Sequence, residues 1–172
     1  MKEDRVFVLT GPVHVGKTTF LLRFLQGVRN EGKHVNGILS LAIWEDSIRK
    51  GYDAFDLASG ESYPLLRTEP DPSWPRAGRF GMLPEGLRRA LSAITRMSRS
   101  DLTVIDEMGP LELSGRGFWP GFQAVRERLQ PALVVVRQEL VPGFQKVVDA
   151  QTRLFQYGEA GLAEEMRSQL LT

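Results

Sequence analysis

Residues 11–18 read Gly-Pro-Val-His-Val-Gly-Lys-Thr, a full G-x-x-x-x-G-K-[ST] pattern. The chemistry of this pattern is phosphate binding. The two glycines let the backbone turn tightly, so that its N–H groups converge on a phosphate chain. Lys17 brings a positive charge to the β- and γ-phosphates, and Thr18 offers a hydroxyl to Mg²⁺. Gly11, Pro12, Val13, His14, Val15, Gly16, Lys17, Thr18 and Thr19 therefore form the expected nucleotide-binding set.

A second constellation lies far along the chain. Asp106 and Glu107 follow directly on the apolar run Leu102-Thr-Val-Ile105. If that run is a central strand, both carboxylates emerge at its carboxyl end, on the edge of the sheet where ligands bind. Asp106 is the expected Mg²⁺ partner, reaching the ion through its water shell because Mg²⁺ dehydrates reluctantly. Glu107 is the expected general base, orienting a water for in-line attack on the γ-phosphate. A glutamate directly after the aspartate favours hydrolysis over transfer to an organic acceptor. No Asn-Lys-x-Asp motif for reading guanine is present. Arg137, at the end of the run Ala132–Val136, is a candidate stabiliser of transition-state charge.

These groups need strands and helices to place them. Arg5–Leu9 is a β-branched, apolar run that predicts a buried first strand. Phe20, Leu21, Phe24, Leu25 and Val28 recur at the spacing of one helix face, and Gly32 is a stop. Val35–Ile43 reads as a strand. Tyr52–Leu57 and Ser62–Leu66 flank the turn Ala58–Glu61 and predict an antiparallel hairpin inserted at about 49–67. Three prolines make 69–75 a loop, and Arg79–Leu83 is a short extended segment. A helix is expected from Pro84 to about Met97, with Leu87, Leu91, Ile94 and Met97 on its buried face. Further helices are expected at 118–129, 141–150 and 159–171, with strands at 132–136 and 152–156. Alternating strands and helices imply a single α/β domain spanning 1–172, its sheet mainly parallel with helices on both faces.

Composition bounds the rest. At 172 residues the chain is long enough for one core, and 42% hydrophobic with 25% charged residues is ordinary globular composition. A net charge of +1 argues against a dedicated nucleic-acid surface. The absence of cysteine excludes disulfides and thiol metal sites. No apolar stretch marks a signal peptide or a membrane span, so a cytoplasmic protein is expected. The 17 arginines against 5 lysines are read as compositional habit. Glu45 and Asp46 are read as an ordinary acidic loop, and Trp44, Trp74 and Trp119 as packing residues. His34 carries no signal.

With both motifs placed, the chain resembles one family. Val104-Ile-Asp-Glu-Met-Gly-Pro-Leu-Glu-Leu113 is similar to the "IDEIGPMEL" signature of the small P-loop nucleoside-triphosphatases of the thermophile-type, cancer-related group. Gly11–Thr19 fits that family's loop, Arg49–Leu57 with Gly60-Glu61 resembles its hairpin, and Ala77-Gly-Arg-Phe80 its basic segment. Phe118 falls where the family has phenylalanine after Glu-Leu. The likeness covers roughly residues 5 to 137. It implies a RecA-like α/β fold and Mg²⁺-dependent hydrolysis of nucleoside triphosphates (ATP or GTP) with loose base preference. Lys17, Thr18, Asp106 and Glu107 carry over by position, and Arg79 matches the basic position of its segment. The chain departs from the pattern at His14, which stands where the family has glycine. It departs again at Val135-Val-Arg137, which lacks the family's histidine and leaves Arg137 as the phosphate sensor. Two other readings compete: a small kinase whose acceptor pocket is built by the hairpin and proline loop, and a non-catalytic GTP- or ATP-binding accessory protein of cofactor assembly. Oligomeric state is open.

Overall fold

The chain is described here by a computed structural model, covering residues 5–13, 16–149 and 151–172. Parallel strands form its centre. β1 (Val6–Thr10) lies between β8 (Ala132–Val136) and β9 (Arg153–Gln156). β7 (Leu102–Met108) lies between β8 and β2 (Val35–Glu45). All four of these contacts are parallel. Each parallel step needs a crossover, and the helices supply it. α1 (Lys17–Asn30) links β1 to β2, and α4 (Trp119–Arg126) lies between β7 and β8.

The central strands are apolar on both faces, as a doubly covered sheet requires. Alternation sorts their side chains between two cores. Val6, Val8, Ile105 and Val134 face α2 (Pro84–Thr95), α4 and α5 (Val141–Val148). Phe7, Leu9, Val104 and Leu133 face α1 and α6 (Leu162–Leu170). In α1 the expected face holds: Leu21, Phe24, Leu25 and Val28 are buried, with Phe20 packed at its border.

Beyond β2 the sheet turns antiparallel. β3 (Ile48–Asp56) and β4 (Ser62–Arg67) form a hairpin, closed by Asp56, whose Oδ1 accepts the N–H groups of Ala58 at 2.9 Å and Ser59 at 3.2 Å. The antiparallel region is wider than a hairpin, however. The outer half of β2 pairs with β3 along its length, and β4 pairs with β6 (Phe80–Met82), which pairs with β5 (Arg76–Ala77). The whole is one nine-stranded sheet in the order β5-β6-β4-β3-β2-β7-β8-β1-β9.

The face expected of α2 is corrected in part: Ile94 is buried and Leu87 packs against the core, as expected. Met97 lies past the helix end and is 88% exposed; the buried residues are Gly86, Ala90, Ala93 and Ile94. The cause is close approach. A Cβ at Gly86 would come within 2.2 Å of the Pro64 carbonyl oxygen, so small residues make the contact and Leu87 and Leu91 flank it. The later helices are shorter than expected, at 119–126, 141–148 and 162–170. Leu129 falls outside α4 and is largely exposed, and Ala150 lies outside the described residues.

Candidate functional site

The site assembles at the carboxyl ends of β1, β7, β2 and β8. β1 ends at Thr10, and Gly16, with φ +92°, caps α1 from the left-handed region that glycine enters without steric cost. The first turn of α1 carries no acidic residue, so its free N–H groups face the loop with their partial positive charge unopposed. His14 and Val15, between these points, lie outside the described residues. Pro12, Val13 and Thr19 are exposed beside the cleft.

Lys17 is buried at the base of the loop. Its ammonium donates to the carbonyls of Pro12 at 2.6 Å and Gly11 at 3.3 Å. Burial lowers its pKa from the ordinary lysine value, with Glu107 and Asp106 opposing the shift.

Thr18 and Asp106 meet across the sheet. The Thr18 hydroxyl donates to Asp106 Oδ2 at 2.8 Å. Asp106 is buried, and burial first, then the neighbouring Glu107, raises its pKa to about 7 against the hydrogen bonds from Thr18 and Ser40. A buried carboxylate beside a hydroxyl, both oxygen donors, is the donor set of a hard divalent cation. Among the described residues no group of three or more His, Asp or Glu side chains is placed to hold a metal ion. A Mg²⁺ that keeps waters and binds phosphate oxygens needs no such cluster.

Sequence reasoning missed Ser40. Its N–H donates to Asp106 Oδ2 at 3.3 Å, and its hydroxyl donates to the Asp106 backbone carbonyl. The available signal was a lone hydroxyl inside the apolar run Val35–Ile43. Gly37 lets β2 lie close enough for this contact: a Cβ there would stand 1.9 Å from the Val104 carbonyl oxygen.

Glu107 is brought to the same edge, half-buried. It is paired with Arg137, whose Nε donates to Glu107 Oε1 at 2.9 Å. Arg137 therefore engages the candidate base directly, which the expectation of a lone charge stabiliser did not include. Trp44 also departs from expectation. Trp119 packs in the core, but Trp44 is 57% exposed on the arm formed by outer β2 and β3, with the Arg49 guanidinium 4.5 Å over its ring. The β-bulge at Ile43/Trp44 occurs where β2 no longer has β7 beside it, so no core is available to cover the ring. Glu45 and Asp46 are exposed at the turn of that arm. A cleft of about 1000 Å³ runs between this arm and the phosphate loop, and Lys17, Thr18, Asp106, Glu107 and Arg137 all line it.

The NTPase family matches residues 6–167 of this sequence. Nucleoside-triphosphatase THEP1 of Methanopyrus kandleri is 36% identical over 132 residues, covering 76% of this chain and 72% of that protein. The cancer-related nucleoside-triphosphatase homolog of Mus musculus is 31% identical over 150 residues, 81% of this chain and 77% of that one. In fold, the solution structure of a human cancer-related nucleoside triphosphatase superposes with a TM-score of 0.70 at 24% identity, covering 95% of this chain and 94% of that one.

Proposed function

We propose, from the premise that the chain belongs to the NTPase family, that it hydrolyses nucleoside triphosphates to diphosphate and phosphate. The observation that carries this reading is the Thr18–Asp106 hydrogen bond at 2.8 Å, which joins the phosphate loop to the strand bearing Glu107. Thr18 and Asp106 would hold Mg²⁺, which when bound neutralises charge on the β- and γ-phosphate oxygens. The loop N–H groups and Lys17 cradle the same oxygens. For this, Lys17 exchanges its carbonyl partners at Gly11 and Pro12 for phosphate.

Glu107 orients a water in line with the bridging oxygen. As the water oxygen bonds to the γ-phosphorus, its proton passes to Glu107 and the bridging O–P bond breaks, releasing the nucleoside diphosphate. Arg137 holds the Glu107 carboxylate in place and turns toward the γ-oxygens as charge develops. Base preference is loose, since no motif in the chain reads a base edge. The relatives, all named triphosphatases, favour neither the kinase nor the non-catalytic reading.

Phosphate release from ATP and GTP, with and without Mg²⁺, tests the proposal. Lys17→Ala should lower it by about 100-fold or more, the cost of losing a principal charge contact in the transition state. Release by Lys17→Ala equal to the wild type, or undiminished without Mg²⁺, would overturn it. Tight binding with no turnover would make the protein a binding module.

A further inference from the structure

Beside the cleft lies a second cavity, a chamber of about 260 Å³. It opens onto the same residues, Thr18, Asp106, Glu107 and Arg137, from the side of β4, β6 and α3 (Pro110–Leu113). Its position relative to the triphosphate follows from strand order. The Thr18–Asp106 contact lies on the β7 side of β1, so on the hydrolysis reading a Mg²⁺ held by these two residues would draw the terminal phosphates of the chain toward β7. The γ end of the chain of phosphates thus points toward β7 and β2. The nucleoside would then lie the other way, toward β9 and Tyr157, which packs against Gly11 and Gly16. The chamber is therefore beyond the γ-phosphate, on the side from which attack comes.

Hydrolysis requires one water there, about 30 Å³ of liquid volume. The chamber is several times larger, and much of its wall is apolar (Leu65, Leu66, Phe80, Met82, Leu111 and Phe118), with the buried Glu112 carboxylate among them. Its mouth is cationic and aromatic. Arg76 and Arg79 line it, and among the described residues neither has a carboxylate at ion-pair distance. Tyr52 lines it as well, meeting Phe80 edge-on with ring centres 5.6 Å apart. An apolar slot with an aromatic wall accepts a flat ring, and guanidinium groups at its mouth accept phosphate oxygens in a bidentate fork.

From this we infer a second ligand site, for a nucleoside monophosphate, on the γ-phosphate side of the cleft. The base enters the chamber and the phosphate meets Arg76 and Arg79. The inference rests on the hydrolysis reading for the direction of the triphosphate.

Calorimetric titration of AMP, GMP, CMP and UMP into protein saturated with Mg²⁺ and a non-hydrolysable ATP analogue tests it. At least one should bind with a Kd below about 1 mM, one per chain, alongside the analogue. Ala77→Phe, which narrows the chamber, should weaken that binding at least about tenfold while affinity for the ATP analogue stays within about twofold, which also shows that the variant is folded. Arg79→Ala should weaken it by a similar factor. No binding of any of the four up to about 10 mM overturns the inference. So does binding that the analogue abolishes, which places the mononucleotide on the phosphate loop, or an unchanged Kd in both variants. Loss of wild-type ATP hydrolysis would instead overturn the triphosphatase reading.

Discussion

At the scale of single residues, the site is a set of fully and partly buried charges, each held by a partner elsewhere in the chain. Glu107 and Arg137 come from different strands and share one ion pair. If Glu107 takes the proton, Glu107→Gln should lower kcat by about 10² to 10⁴ while nucleotide affinity changes little. Arg137→Ala should also lower kcat. Because Arg137 both orients Glu107 and meets the γ-oxygens, the double variant should fall below Glu107→Gln alone but by less than the product of the two single losses, and fully additive losses would show that the two act independently. Ser40 acts on Asp106 from behind. Ser40→Ala should raise the Mg²⁺ concentration needed for half-maximal activity about tenfold or more, with kcat at saturating Mg²⁺ nearly restored. A Mg²⁺ titration of phosphate release reads this directly. Much of this site was legible in the sequence, because the loop and the Asp-Glu pair have local signatures. Ser40 was not, because its role exists only once β2 lies beside β7.

At the scale of elements, the sequence showed most where apolar residues run unbroken or recur at helical spacing, and least where packing overrides pattern. The strands at 102–105 and 132–136 and the face of α1 were plain from β-branched runs and helical spacing. On α2, Ile94 is buried and Leu87 packs against the core as expected, but Met97 lies beyond the helix end and close contact with Pro64 puts Gly86 on the buried face. Trp44 was misread. Tryptophan is usually buried, but outer β2 extends past its parallel neighbour. The contact between β2 and β7 gives a sharp test. At Gly37, φ is +109° and no room exists for a Cβ. Gly37→Ala should destabilise the fold by about 3 kcal/mol, through strain and displaced backbone, with a matching fall in the urea midpoint. A variant within about 0.5 kcal/mol of the wild type would show that the strands separate freely.

At the scale of the molecule, two features link the parallel and antiparallel halves. One is the ion pair of Arg96, just past α2, with Asp56 at the end of β3, 2.8 Å long. Burial alone would raise Asp56, but the hydrogen bonds from Arg96, Ser59 and Ala58 outweigh it and hold the pKa at about 2, below its ordinary 3.8. A carboxylate depressed in the folded state stabilises the fold above its unfolded pKa. That contribution, about 2 kcal/mol, is lost as pH falls from about 3.8 through 2. Asp56→Asn should therefore cost stability in urea denaturation at pH 7, and the gap to the wild type should shrink by more than half by pH 2.5. A gap independent of pH would assign the loss to packing. The other link is β2 itself. Its inner half, Val35–Ile38, is clamped to β7, and its outer half, Leu41–Glu45, belongs to the arm. Ser40 stands between the two with its hydrogen bonds on Asp106. The strand is thus shared by the two halves, and the residue at which it passes from one to the other is the one that touches Asp106. A displacement of the arm would therefore reach Asp106 through Ser40.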